Sequence, residues 1–196
     1  MKKLAVFLLA VGIPLLLDSC GKKEEPKPEK VQAPQWKNEF ANAPKWVLNP
    51  QMEGGLSAVG SAKIGRAGMQ FARTEALANA RDELARQLQV KVKNMVKNFT
   101  QQIGVGDEQT VDKVSVQVSK QVTSTVLQGS RQKDMWISPS GELYVLVVLD
   151  PASVKEAVKQ ATLSSLKNER ALWQKFQAKK AYEELDREVE KEFGGQ

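Results

Sequence analysis

MWISPSGELYVLVVLDP, residues Met135–Pro151, decides the fold. Within it, Ser138-Pro139-Ser140-Gly141 places Pro and Gly where a type I turn wants them, so two antiparallel strands meet there. The second strand, Leu143 to Leu149, is apolar on both faces, unlike a strand with one wet side. Each face therefore needs a cover: helices supply one, and the other falls to the carboxyl-terminal helix or to another protomer. Asp150-Pro151 then starts a helix, with an N-capping carboxylate followed by proline at the first helical position. Val154, Val158 and Ala161 form its inner stripe.

Upstream, Leu56 to Ile64 alternates weakly between apolar and small residues and is flanked by glycines, which predicts a first strand. Gly60 inside it marks a bulge or a close backbone approach. From about Ala67 the period changes. Ala72, Ala76 or Leu77, Ala80, Leu84, Leu88, Val92, Val96 and Phe99 recur every three or four residues, the pattern of an amphipathic helix about 30 residues long. Asp82 and Arg86 are spaced to pair along it, and Lys91, Lys93 and Lys97 lie toward its carboxyl end, where the helix dipole favours cations. Gly104-Val-Gly-Asp breaks the helix. In the next segment, 107–125, Val111, Val114, Val118 and Val122 read as a helical stripe, whereas Val114, Val116 and Val118 alternate like a strand; the alternation fails after Ser119, which favours helix. Beyond Thr162 charged residues dominate, and Asn168 to Glu192 reads as a projecting helix supported by pairs such as Lys179 with Glu183 and Glu183 with Arg187. The expected fold class is α+β: a small antiparallel sheet, the first strand plus the hairpin, packed against long amphipathic helices with an exposed carboxyl-terminal helix.

The chemical inventory is thin. No histidine occurs among the 196 residues, which removes the commonest proton-transfer group and metal ligand. The 29 Lys and Arg are interspersed with 23 Asp and Glu, a mixture typical of a solvated surface. Gly55 to Ser61 has the glycine spacing of a phosphate loop without its lysine, so a glycine-flanked strand is the better reading. Gly65-Arg66-Ala67-Gly68 reads as a tight turn in preference to an anion-binding helix start. No metal, no small-molecule substrate and no nucleic acid is inferred.

At the amino terminus Lys2 and Lys3 precede an apolar run, Leu4 to Leu17, too short for the roughly 20 residues a membrane-spanning helix needs and of signal-peptide proportions. Leu17-Asp18-Ser19-Cys20 resembles the lipobox of bacterial lipoproteins. Leu17 and Ser19 fit the cleavage signal, Asp18 departs from it, and Cys20, the single cysteine, is the candidate lipidation site. The resemblance implies diacylglycerol and an N-acyl chain on Cys20, with no other cofactor. Gly21, in place of Asp, favours the outer membrane under the common sorting rule. Residues 20–43, rich in Lys, Glu and Pro, read as a disordered tether. Within it Trp36 and Phe40 either pack on the domain or are incidental, while Trp46 and Val47 just beyond are expected to pin it to the domain edge.

The lipobox-like start, Ala43-Pro44-Lys45-Trp46-Val47, the strand containing Gly60, the ARTEALANARDELARQL helix and GELYVLVVLD leading into PASV together resemble the lipoprotein-20 family of bacterial outer-membrane lipoproteins. The likeness covers about Ala43 to Ala161. It implies an α+β domain akin to one in flagellar periplasmic proteins. Some relatives are surface antigens, and others assemble a flagellar basal disk beneath the outer membrane. It implies no active site.

The expected organisation is a signal peptide over 1–19, a lipidated tether over 20–43, the α+β domain over 44–162 and a charged helix over 163–196. The expected role is a non-enzymatic, outer-membrane-anchored module whose domain faces the periplasm or the cell surface and contacts itself or another envelope protein. Leu143, Val145, Val147, Trp173 and Phe176 are the candidate partner interface. The alternative is an envelope-polymer binder, of peptidoglycan or lipopolysaccharide, using Arg66 and Lys91 to Lys97.

Overall fold

The computed structural model describes residues 38–51, 56–104 and 107–194. In chain order its elements are α1 (Lys45–Leu48), β1 (Ser57–Lys63), α2 (Gly68–Gln102), α3 (Glu108–Leu127), β2 (Arg131–Ile137), β3 (Glu142–Val148), α4 (Pro151–Asn168), α5 (Arg170–Ala178) and α6 (Tyr182–Phe193). The class is α+β, as the residue pattern predicts.

The hairpin turn closes as its residues dictate. Gly141 N–H donates to Ser138 O and Ser138 N–H to Glu142 O, both at 2.9 Å, with Gly141 at φ +80°, a conformation that glycine adopts without strain. The sheet has the order β1-β3-β2, antiparallel throughout, so the two-faced apolar strand β3 is central. Its Leu143, Val145 and Val147 face the helices, and Leu146 and Val148 face the opposite side; all five are buried.

Helix α2 covers the first face, lying over β1 and β3. Gly60 permits this. A Cβ there would stand 2.1 Å from Ala76 O and 2.3 Å from Ala80 N, both main-chain atoms. The close-approach reading of Gly60 therefore holds, and the alanines of α2 at 72, 76 and 80, all fully buried, are the matching surface.

The second face is covered by neither of the two expected elements. The segment from Asn38 to Pro50 runs across it as a strap: the Phe40 ring meets Tyr144 edge-on at 5.9 Å, Trp46 Nε1 donates to Asp134 at 2.8 Å, and Val47 is buried. Ser140 Oγ donates to Glu39 at 2.7 Å. Hydrogen bonding from Ser138 and then Ser140 holds the Glu39 carboxyl below its usual range. Trp46 and Val47 thus pin the chain as expected, whereas residues 38–43, read as tether, are already part of the fold. Trp36 lies outside the described residues.

Beyond the sheet, α2 continues as one wall of a helical bundle. Segment 107–125 resolves as helix: Asp107 caps α3, accepting from Thr110 N at 3.2 Å. Asp150 caps α4 in the same way, accepting from Ser153 N at 2.9 Å, and Pro151 follows as anticipated. Neighbouring helices run antiparallel, pinned by Lys97–Asp112 (2.7 Å), Lys113–Glu169 (2.6 Å) and Lys159–Asp186 (2.6 Å).

The carboxyl-terminal segment is helical but does not project. It breaks at Lys180, in the left-handed region at φ +50°, where Ala181 N–H donates to Phe176 O at 3.2 Å and Lys180 N–H to Gln177 O at 3.1 Å. These are the paired bonds that end a helix around a left-handed residue. Helix α6 then returns along α4, burying Leu185, Val189 and Phe193. Its apolar stripe is sparse, but it is wide enough to form the bundle's fourth helix. The described residues accordingly form one compact unit, and the boundary expected after residue 162 falls inside α4. Two of the expected ion pairs also have other partners: Arg187 pairs with Glu184 on α6, and on α2 Arg86 pairs with Glu83 at 2.7 Å instead of with Asp82.

Candidate functional site

Leu17, Ser19 and Cys20 lie outside the described residues. Of the expected partner-interface residues, Leu143, Val145, Val147 and Phe176 have no exposure at all. The first three are sealed under α2. Phe176 sits within an aromatic cluster, 6.1 Å from Phe99 and 4.6 Å from Tyr182. Trp173 is half-buried, stacked on Phe176 at 5.2 Å, with Lys167 Nζ 5.4 Å from its ring centre. These five residues belong to the chain's own interior. The two-faced apolar pattern of β3 marks Leu143, Val145 and Val147 for burial without saying which chain buries them, whereas Trp173 and Phe176, expected on an exposed helix, pack inside this chain instead.

The basic residues do not form one site either. Lys91 faces Glu192 at 3.6 Å and the Phe193 ring at 5.9 Å, and Lys97 is bridged to Asp112. Arg66 precedes α2 at its opposite end, about 45 Å from Lys97 at the helical rise.

What the fold leaves open is strand β2. It is an edge strand that pairs only with β3 among the described residues. Because α2 lies over β1 and β3, the helix-side residues of β2 stay uncovered: Met135 is 46% exposed and Ile137 40%. Arg73 and Arg81 reach from α2 to Gln132 (2.9 Å) and Ser130 (3.0 Å), bounding this face on one side. A register irregularity between Gln132 and Asp134 interrupts the ladder, leaving Asp134 to Ile137 as the regular stretch of edge. Edges of this kind are templates for strand pairing unless they are blunted. The sequence held no clear signal for this face: Met135-Trp136-Ile137 is an unbroken apolar run that does not tell which side stays open.

A groove of about 820 Å³ lies between the end of the strap and the middle of α2, with Pro50, Leu56 and Val90 on its walls and Glu83 and Arg86 at its side. Hydrogen bonds from Gln87 and then Arg86 keep the Glu83 carboxyl below its usual range. The groove's remaining walls are polar, with Asn49, Gln51, Ser57, Gln87 and Lys91. Among the described residues no group of three or more His, Cys, Asp or Glu could hold a metal ion, and no helix is long and apolar enough to cross a membrane.

Comparison with curated proteins finds no match. The family model for LPP20 lipoprotein matches residues 44–150, which run from the strap through β1, α2, α3 and the hairpin to the cap of α4. That match spans more than half of the chain, including β1, β2, β3 and the helix that covers the sheet. The chain belongs to the LPP20 lipoprotein family, and with it to the lipid-anchored proteins of the cell envelope.

Proposed function

We propose that this lipoprotein is a non-enzymatic assembly module of the outer membrane, held by lipid on Cys20 and associating with a second copy of itself through the open side of β2. The observation that carries this reading is the half-exposed apolar pair Met135 and Ile137, side by side on one face of an edge strand. Apolar side chains on an edge strand combine area with the directional hydrogen bonding of strand addition, which is how sheet edges recognise partners.

Light scattering on full-length protein in detergent across micromolar concentrations tests the association. Oligomers are expected, reduced to monomers by Met135→Lys with Ile137→Lys; a wild type that stays monomeric sinks the reading. Intact mass of protein from its native host tests the anchor. A chain beginning at Cys20 and carrying acyl groups is expected, and an unmodified thiol refutes it.

A further inference from the structure

The charge that the α2 lysines spend on neighbours is not spent at the far end of the bundle. From Lys167 to Lys180 the chain carries Lys167, Arg170, Lys175, Lys179 and Lys180 against one acid, Glu169, which is itself bridged to Lys113. Helix α6 is acidic in compensation: toward α4 and α2, Asp186 takes Lys159, Glu190 takes Lys155 and Glu192 takes Lys91, while Glu183 and Glu184 of its first turn stand at the α5 end, Glu184 paired with Arg187. Cations outnumber carboxylates from Lys167 to Lys180, which makes a basic corner at α5.

Two of those cations stand where local physics disfavours them. Lys180 holds a left-handed backbone, the one non-glycine residue to do so among the described residues, at the helix-ending position where glycine is usual. Arg170 occupies the first turn of α5, against the helix dipole, with no acidic residue in that turn. Lys175 and Lys179 reach the carbonyl end of α2, donating to Gly104 O at 2.7 Å and Gln102 O at 3.4 Å, and each ammonium retains further donors. A cavity of about 380 Å³ opens beside Lys179, lined by the cations Lys179, Lys180 and Arg187 and by two carboxylates, Glu183 and Glu184, the latter paired with Arg187. Locally unfavourable placements that the fold nevertheless tolerates are where function is to be sought.

Position selects the partner. The strap begins at the hairpin turn, where Ile64 N–H also meets Gly141 O at 2.9 Å, and α2 starts beside it. The 35 residues of α2 span about 50 Å at the helical rise, so the α5 corner lies that far from the point where the tether arrives. We infer that this corner binds a carboxylate-bearing polymer of the cell wall, lying beyond the membrane that holds the lipid. The choice of the wall over the membrane rests on the anchored reading above.

The test is co-sedimentation of the full-length protein, in non-ionic detergent, with purified peptidoglycan sacculi. Wild type is expected to pellet at low salt and to be released as salt shortens the Debye length. Arg170→Gln with Lys180→Gly removes two cations at positions where their loss relieves strain, so the melting temperature should not fall. Each basic side chain near an anionic surface is worth about fivefold, so affinity should drop about 25-fold. The control pair Lys45→Gln with Arg66→Gln removes equal charge near the tether end and should change affinity less than about twofold by the same reasoning. Equal weakening by both pairs, no pelleting of wild type, or displacement by micelles doped with phosphatidylglycerol each overturns the inference. Intact mass and light scattering on the same preparation report acylation and self-association separately, so the two proposals fail independently.

Discussion

Replacing Gly60 with alanine should destabilise the protein strongly, against the usual sign of that substitution. Where the backbone permits it, Gly→Ala stabilises by about 0.4–1 kcal/mol, because the unfolded chain has less freedom to lose. At Gly60 the new methyl would meet Ala76 O at 2.1 Å, Ala80 N at 2.3 Å and Ala80 Cα at 2.9 Å. All three are main-chain atoms of α2, so no rotamer change offers relief. Helix and strand must separate by roughly an ångström, loosening the contacts of Ala72, Ala76, Ala80 and Leu84 together. Overpacking against mobile side chains costs about 1–3 kcal/mol, and a rigid backbone places this case at or above the upper end. For a chain of this length about 3 kcal/mol lowers the melting temperature by roughly 6–12 °C. Circular dichroism melts of wild type and Gly60→Ala measure it directly. Because the clash is with backbone, trimming Ala76 or Ala80 to glycine should not rescue the variant. A melting temperature equal to or above that of wild type refutes the close-packing argument.

Phe176→Ala, at a fully buried ring contacting Phe99, Trp173 and Tyr182, should cost about 3–5 kcal/mol in denaturant unfolding, an effect a projecting helix would not produce. Lys180→Gly should raise stability by up to about 1 kcal/mol by removing left-handed strain, with a lower melting temperature as the contrary result. The strap should loosen in acid. Glu39 has a lowered folded pKa, so its contribution is complete above the unfolded value of about 4.3 and is lost as pH falls through the lower folded one. Tryptophan fluorescence of Trp46 and Trp136 should shift in that window, and Glu39→Gln should abolish the step. Asp150→Ala should lower the melting temperature through loss of the α4 cap, whereas Asp150→Ser should largely restore it.

The elements written in local chemistry were legible. Ser138-Pro139-Ser140-Gly141 specified the turn, Asp150-Pro151 the start of α4, and the every-third-or-fourth apolar pattern from Ala72 to Phe99 the buried face of α2. Gly60 announced its role because a strand interior seldom tolerates a missing side chain without a reason. Features that depend on partners distant in sequence were not legible. Phe40 and Tyr144 stand 104 positions apart, and nothing near Phe40 indicates that it covers a sheet. The reversal at Lys180 carries neither glycine nor proline, so a continuous helix was the natural expectation, and with it a surface role for Trp173 and Phe176. The candidate interface shifted for a related reason: β3 declared two buried faces, but only the course of the strap and of α2 shows that this chain covers both.

Helix α2 roofs the sheet with its first half and walls the bundle with its second, and no joint interrupts it. Among the described residues there is therefore no seam along which sheet and bundle could be divided. A nick or an insertion near the middle of that helix, around Leu88, would strip the cover from β1 and β3 and open the bundle in one event. Thermal and chemical denaturation should accordingly report a single transition shared by both halves.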